Sequence, residues 1–204
     1  LFNGSIFTLK EVKKMKIYFF GKFKSENWNC VFWSKAKANF DEAELPTYTH
    51  DFYSKLIPLQ NSSTHKTQIE KFEKKLYAYR VFPPHRMSPF ICGKIQLQTG
   101  SVIIQRIHLG ILTLETAVRI KKIYKTESVS ETLVGFQYET LEGHVEKGIA
   151  DFFLRYDKVR SELKFVIQSS SSPANFLSRI TRPLGRRMQK KFTKEALEHF
   201  CHFE

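Results

Sequence analysis

No run of eighteen or more apolar residues occurs in this chain, which argues against a membrane-spanning helix. Cysteine is scarce. Cys30, Cys92 and Cys201 are scattered, odd in number and never spaced as C-x-x-C, so neither a disulfide scaffold nor a cysteine zinc knuckle is expected. A reducing cytoplasm is the setting that fits such usage. The chain also has no G-x-S-x-G elbow, no P-loop, no G-x-G-x-x-G and no H-E-x-x-H. These absences remove the usual signals of a serine hydrolase, a nucleotide cradle or a helical zinc site, and neither a cofactor nor a metal is expected. The N-terminal stretch lacks the basic, apolar and small-residue order of a signal peptide. Residues 1–14 can be an upstream extension before Met15.

What is present suits a packed domain. The 204 residues are 42% hydrophobic, with 19 Phe and 8 Tyr, enough for a sizeable core. Lysine and arginine outnumber carboxylates 33 to 20, a formal charge of +13. Such a surface attracts phosphates, nucleic acid, anionic lipid or acidic proteins without choosing among them.

The first sixty residues carry weak signals. KIYFF (16–20) and NCVFW (29–33) read as strands, and ANFDEAELPTY as a connection in which Pro46 discourages a helix. This N-terminal segment is expected to pack on a main domain spanning 61–204. NSSTH (61–65) is a polar link whose Ser and Thr side chains can cap a helix. Ile69, Phe72, Leu76 and Tyr79 then recur at helical spacing, and PPH (83–85) ends or turns the chain. Beyond residue 90 the period falls to two. Leu114, Thr116, Val118 and Ile120 share one face of a strand, with Glu115, Ala117, Arg119 and Lys121 on the other. LVGFQYETL (133–141), GIADFFLRY (148–156) and LKFVIQSSS (163–171) continue a series of antiparallel strands. Helical spacing returns in Phe176, Ile180, Leu184, Met188, Phe192, Ala196 and Phe200. Pro173 is read as lying near that helix's start, Ser170, Ser171 or Ser172 as its cap, and Pro183 with Gly185 as a kink or split. The pattern implies an α+β fold, with a curved antiparallel sheet and a long C-terminal helix across its apolar face.

Three stretches are candidates for chemistry. YETLEGHVEKG (138–148) sets Glu139, Glu142, His144 and Glu146 around Gly143. A hairpin turn explains it, since glycine takes positive φ. His144 and Glu146, two residues apart on a strand, can still face one cavity beside Tyr138, as ligand contacts or as an acid–base pair in which Glu146 tunes His144. YRVFPPHRMSPF (79–90) offers Tyr79 and Phe82 as apolar surface and Arg80 and Arg86 as partners for an anion, or else is an ordinary helix-to-strand corner. RITRPLGRRMQKKFTK (179–194) holds Arg179, Arg182, Arg186, Arg187, Lys190, Lys191 and Lys194 and no carboxylate. It suits an anionic membrane surface or phosphates, or is the solvated back of a helix docked on the sheet. No RNP-like, KH-type or zinc-finger motif supports nucleic acid as the partner.

YRVFPP (79–84), GSVIIQRIHLG (100–110), AVRI (117–120), GFQYETLEGHVEKGIADFFL (135–154) and FVIQSSSSPANFLSRITRPLGRRMQ (165–189) together resemble the DUF1990, or UPF0548, proteins of bacteria and plants. The resemblance spans roughly residues 65–200. Tyr138, Thr140, Leu141, Gly143, His144, Glu146, Gly148 and Phe152 correspond to the family's central motif, whereas Glu139, Glu142 and Val145 depart from its glycine and prolines. Ile149 and Ala150 replace an acidic pair. The resemblance implies a START-like, helix-grip architecture: a curved sheet wrapped around the last helix with a cavity between them. By analogy of fold, it implies a small hydrophobic or amphipathic ligand. His144 and Glu146 would contact that ligand's polar end, with catalysis in the same cavity as an alternative.

Overall fold

In the computed structural model, residues 16–19, 28–60, 64–93, 96–174 and 182–202 are described. The strands are β1 (Lys16–Phe19), β2 (Thr49–Ile57), β3 (Met87–Ile91), β4 (Val102–Leu109), β5 (Leu112–Glu127), β6 (Glu131–Thr140), β7 (Glu146–Asp157) and β8 (Glu162–Pro173). They form one curved antiparallel sheet in the order β2-β8-β7-β6-β5-β4-β3. β1 adds to the first four residues of β5, ahead of the stretch from Val118 that pairs with β6. The helices are α1 (Cys30–Ser34), α2 (His65–Tyr77) and α3 (Arg182–Cys201), with a short 3-10 turn at Glu42–Thr47 that contains Pro46. The α+β class expected from the sequence is what the chain adopts.

Period-two alternation decides the faces. Val118, Ile120, Phe136, Phe152, Leu154, Phe165 and Ile167 point to the inner face, where they form the main core with α2 and α3. A bulge between Ile120 and Lys122 shifts the register of β5 against β6, so that Ile123 rejoins the inner face where strict alternation would have sent Lys122. The helix α2 lies on β6 and β7, and α3 crosses β8 and the edge strand β2. Two helices therefore share the inner face. On the outer face, Trp33 of α1 caps a smaller core of Val102, Ile104, Ala117 and Leu141.

Several sequence expectations change. NCVFW is helical rather than extended: Asn29 accepts the Phe32 N–H through its side chain (3.0 Å), which caps α1 and lets Trp33 bury completely. Cys30 and Cys92 form a disulfide between α1 and the end of β3, so the thiols are not all free, and the argument for a reducing compartment falls with them. Only Cys201 remains a buried free thiol. Ser170, Ser171 and Ser172 are strand residues rather than the expected helix cap. They continue β8, paired with β7, and Pro173 ends that strand opposite Glu146. The ladder supplies their backbone partners, which a loop before a helix could not. Pro183 is the second residue of α3, in its first turn, where no N–H is needed, and the helix runs through Gly185 without a break. The stretch before Arg182, on which a kink or split at Pro183 depends, lies outside the described residues. Phe176 and Ile180, like Arg179, lie outside the described residues.

Candidate functional site

The turn read from Glu142-Gly143 is present. Gly143 has φ +93, and the His144 N–H donates to the Leu141 carbonyl at 3.0 Å. Much of the surrounding motif is framework. The Gly148 N–H donates to Thr140 Oγ1 (2.8 Å), Thr140 donates to Asn39 Oδ1 (2.6 Å), and Asn39 Nδ2 donates to the Glu146 carbonyl (3.0 Å). This clamp fixes the start of β7 and aims the Glu146 side chain along the inner face.

Glu146 meets a polar cluster there. Gln189 Nε2 of α3 donates to Glu146 Oε2 at 3.0 Å and lies 3.4 Å from Ser171 Oγ of β8. Arg186, one helical turn earlier, donates to Gln189 Oε1 at 2.7 Å and holds both carboxylate oxygens of Asp51 on β2. Residues 186 and 189 share a helix face by the i,i+3 rule, and 51, 146 and 171 come from three strands adjacent in the sheet. Tyr138 and Tyr53 complete the surroundings, Tyr138 with its ring 5.4 Å from that of Phe152.

Burial raises the Glu146 pKa above its ordinary value. Ser171 and Arg186 oppose the rise, and Asp51 adds to it. Burial, then the nearby Glu146 charge, pushes the Tyr138 hydroxyl well up. Burial lowers His144 to about 4, so its ring is neutral at neutral pH. Its Nδ1 then accepts the Glu146 backbone N–H at 3.1 Å. The imidazole is engaged by the Glu146 backbone, not by its carboxylate, so the expected tuning of His144 by that carboxylate is not the arrangement found.

The other sequence candidates separate. Tyr79 is fully buried with φ +55, and its hydroxyl accepts from Gln105 Nε2 at 2.7 Å. Phe82 is half-buried against Phe152, ring centroids 6.0 Å apart. Arg80 is exposed. Arg86 donates Nε and Nη2 to Glu195 (2.5 and 2.9 Å) and lies over Phe192, so it fastens α3 to the corner before β3. Arg182 opens α3; Arg187 and Lys190 are exposed on it. Asp51, Tyr53 and Gln189 were not singled out from the sequence. The alternation in THDFYSKLI and the i,i+3 pair in RRMQ were the available signals. Among the described residues, no three His, Cys, Asp or Glu side chains group as a metal site. A concavity of about 290 Å³ lies elsewhere, outside α2, lined by Glu70, Glu73, Lys74, Tyr77, Gln96 and Lys125.

The model of the DUF1990 family, a domain of unknown function, matches residues 35–199. The chain belongs to the DUF1990 family. The match takes in all three strands of the cluster, β2, β7 and β8, as well as Arg186 and Gln189. No curated protein matches. Among solved structures, the hypothetical protein jhp0584 from Helicobacter pylori is similar at 6% identity and a TM-score of 0.52, over 89% of this chain and 96% of that one. A protein from Nitrosospira multiformis is similar at 8% identity and a TM-score of 0.43, over 75% and 94%. At such identity the first likeness concerns the fold alone.

Proposed function

We propose that this DUF1990 protein binds a small amphipathic molecule at the polar end of the sheet's inner face, in a variation of the helix-grip plan. Tyr138 and Phe82 would meet the apolar part, and Glu146, Gln189 and Ser171 the polar part. The observation that carries this reading is the setting of Tyr138, His144 and Glu146. All three are crowded by protein, enough to shift their pKa values, yet each keeps solvent-accessible surface. They stand beside the point where Glu146, Gln189 and Ser171 converge from β7, α3 and β8. The neighbouring network has hydrogen-bonding capacity to offer: Glu146 presents a carboxylate, Gln189 and Ser171 an amide and a hydroxyl. The concavity outside α2 shares no residue with this cluster and plays no part in the reading.

Native mass spectrometry of the protein purified from its own host tests the proposal. The expected result is a single bound small molecule, released on denaturation and lost in both Tyr138→Ala and Glu146→Ala. An unliganded mass, together with no thermal shift from a panel of amphiphiles, would overturn it.

A further inference from the structure

We infer that the outer side of the helix layer, α2 beside α3, is a docking surface for an anionic lipid bilayer. The two helices lie together on the sheet's inner face. Phe72 packs on Phe200, and Lys75 Nζ donates to the His199 and Phe200 carbonyls at 3.0 and 3.2 Å. Each helix keeps an exposed side away from the sheet. On α3, Arg187, Lys190, Lys191 and Lys194 are exposed and keep the i, i+3, i+4, i+7 spacing of one helical stripe. On α2, Lys66, Lys71 and Lys74 are exposed as well.

The carboxylates that could neutralise this face are mostly committed. Between Glu162 and Glu195 the chain has no Asp or Glu. Glu195 is held by Arg86, Glu198 by Lys55, and Glu73 by Lys125. Glu70 remains as an exposed acid on α2. Cations distributed over two side-by-side helices match a flat array of negative headgroups. A single basic helix would instead suit a nucleic-acid groove. Phe192, the aromatic ring within the stripe's span, lies under Arg86, where it is not placed to stack on a base.

The test is co-sedimentation of the full chain with phosphatidylcholine vesicles, with and without phosphatidylserine. Binding is expected only with phosphatidylserine, and it should vanish in salt on the order of 1 M, where the screening length falls to about 3 Å. Lys190→Glu/Lys191→Glu/Lys194→Glu should weaken binding by at least about a hundredfold, at roughly fivefold for each lysine. A control, Lys35→Glu/Lys37→Glu/Arg155→Glu, changes the net charge equally at exposed positions on the outer side of the sheet and should bind as the parent does. Circular dichroism establishes that both variants fold. Equal loss in the two variants would show that net charge alone binds and would overturn the inference. So would binding to RNA without binding to vesicles, or binding to neutral vesicles.

Discussion

The two halves of α3 do different work on the same sheet face. The C-terminal half buries Ala196, Leu197, Phe200 and Cys201, with the Phe200 ring stacked 4.0 Å from Phe165. The half around Arg186 and Gln189 contributes no fully buried apolar side chain among its described residues and instead makes the polar cluster with Asp51, Glu146 and Ser171. A hydrophobic anchor at one end lets the other end present polar groups without having to hold the helix down. Such groups are partly desolvated, and their net contribution to stability is small. Phe200→Ala should therefore be the most damaging change, about 4 kcal/mol by denaturant unfolding. Replacing both partners of the neighbouring ion pair, Arg186→Met with Asp51→Leu, should cost far less while disturbing the cluster, because no charge is left unpaired. Equal losses from the two variants would erase the distinction.

The polar half depends on backbone geometry that a side chain cannot imitate. Gly148 has φ +145, and a Cβ there would sit 2.0 Å from the Ser170 carbonyl oxygen. Gly148→Ala should cost about 3 kcal/mol, because strain and a backbone clash add. The residues of YETLEGHVEKG thus divide between shape and chemistry. Thr140, Gly143 and Gly148 build the clamp, and Glu146 is what the clamp presents.

That division also marks how far the sequence could be read. Period-two alternation placed β5 to β8, and a glycine after an acid placed the turn, because both signals are local. Arg186 and Glu146 were both candidates, for separate sites. Gln189 joins them, and Arg186 is held there by Asp51, which needs β2 and β8 lying side by side, a pairing between residues more than a hundred positions apart. Asp51 escapes for the same reason: alternation in THDFYSKLI hints at a strand, and only pairing with β8 fixes which face turns inward. Arg80 and Arg86 looked equivalent in YRVFPPHR, yet Arg80 is exposed and Arg86 is bound to Glu195 on a helix remote in sequence. The α1 reading failed because NCVFW is apolar enough for either state, and a side-chain cap decided it.

His144 gives a smaller effect that is specific to pH. Its folded pKa is depressed from 6.5 to about 4 by burial. The stabilisation from keeping it neutral is fully present above 6.5 and is lost as pH falls toward 4, because the unfolded chain binds the proton first. Unfolding free energy should therefore decline across that window by about 3 kcal/mol, and His144→Asn should flatten the decline. Glu146 acts in the opposite sense. With its pKa raised, its contribution is largest at low pH and is lost as pH rises from the ordinary carboxylate value through the folded one. Glu146→Gln should remove that loss, leaving the acid-side decline of His144 alone to be measured.

The smallest expected effect falls between the two halves of α3, at Arg86 and Glu195. The pair is bidentate but each side chain is about a quarter exposed, so solvent screens it. A double-mutant cycle of Arg86→Met and Glu195→Gln should give a small favourable coupling, reduced by salt. If Arg86 were a ligand contact, its loss would weaken binding of the retained molecule and the cycle would show no coupling to Glu195. Favourable coupling with unchanged ligand retention would make it a fastener, tying the corner before β3 to the turn of α3 where the polar half gives way to the buried one.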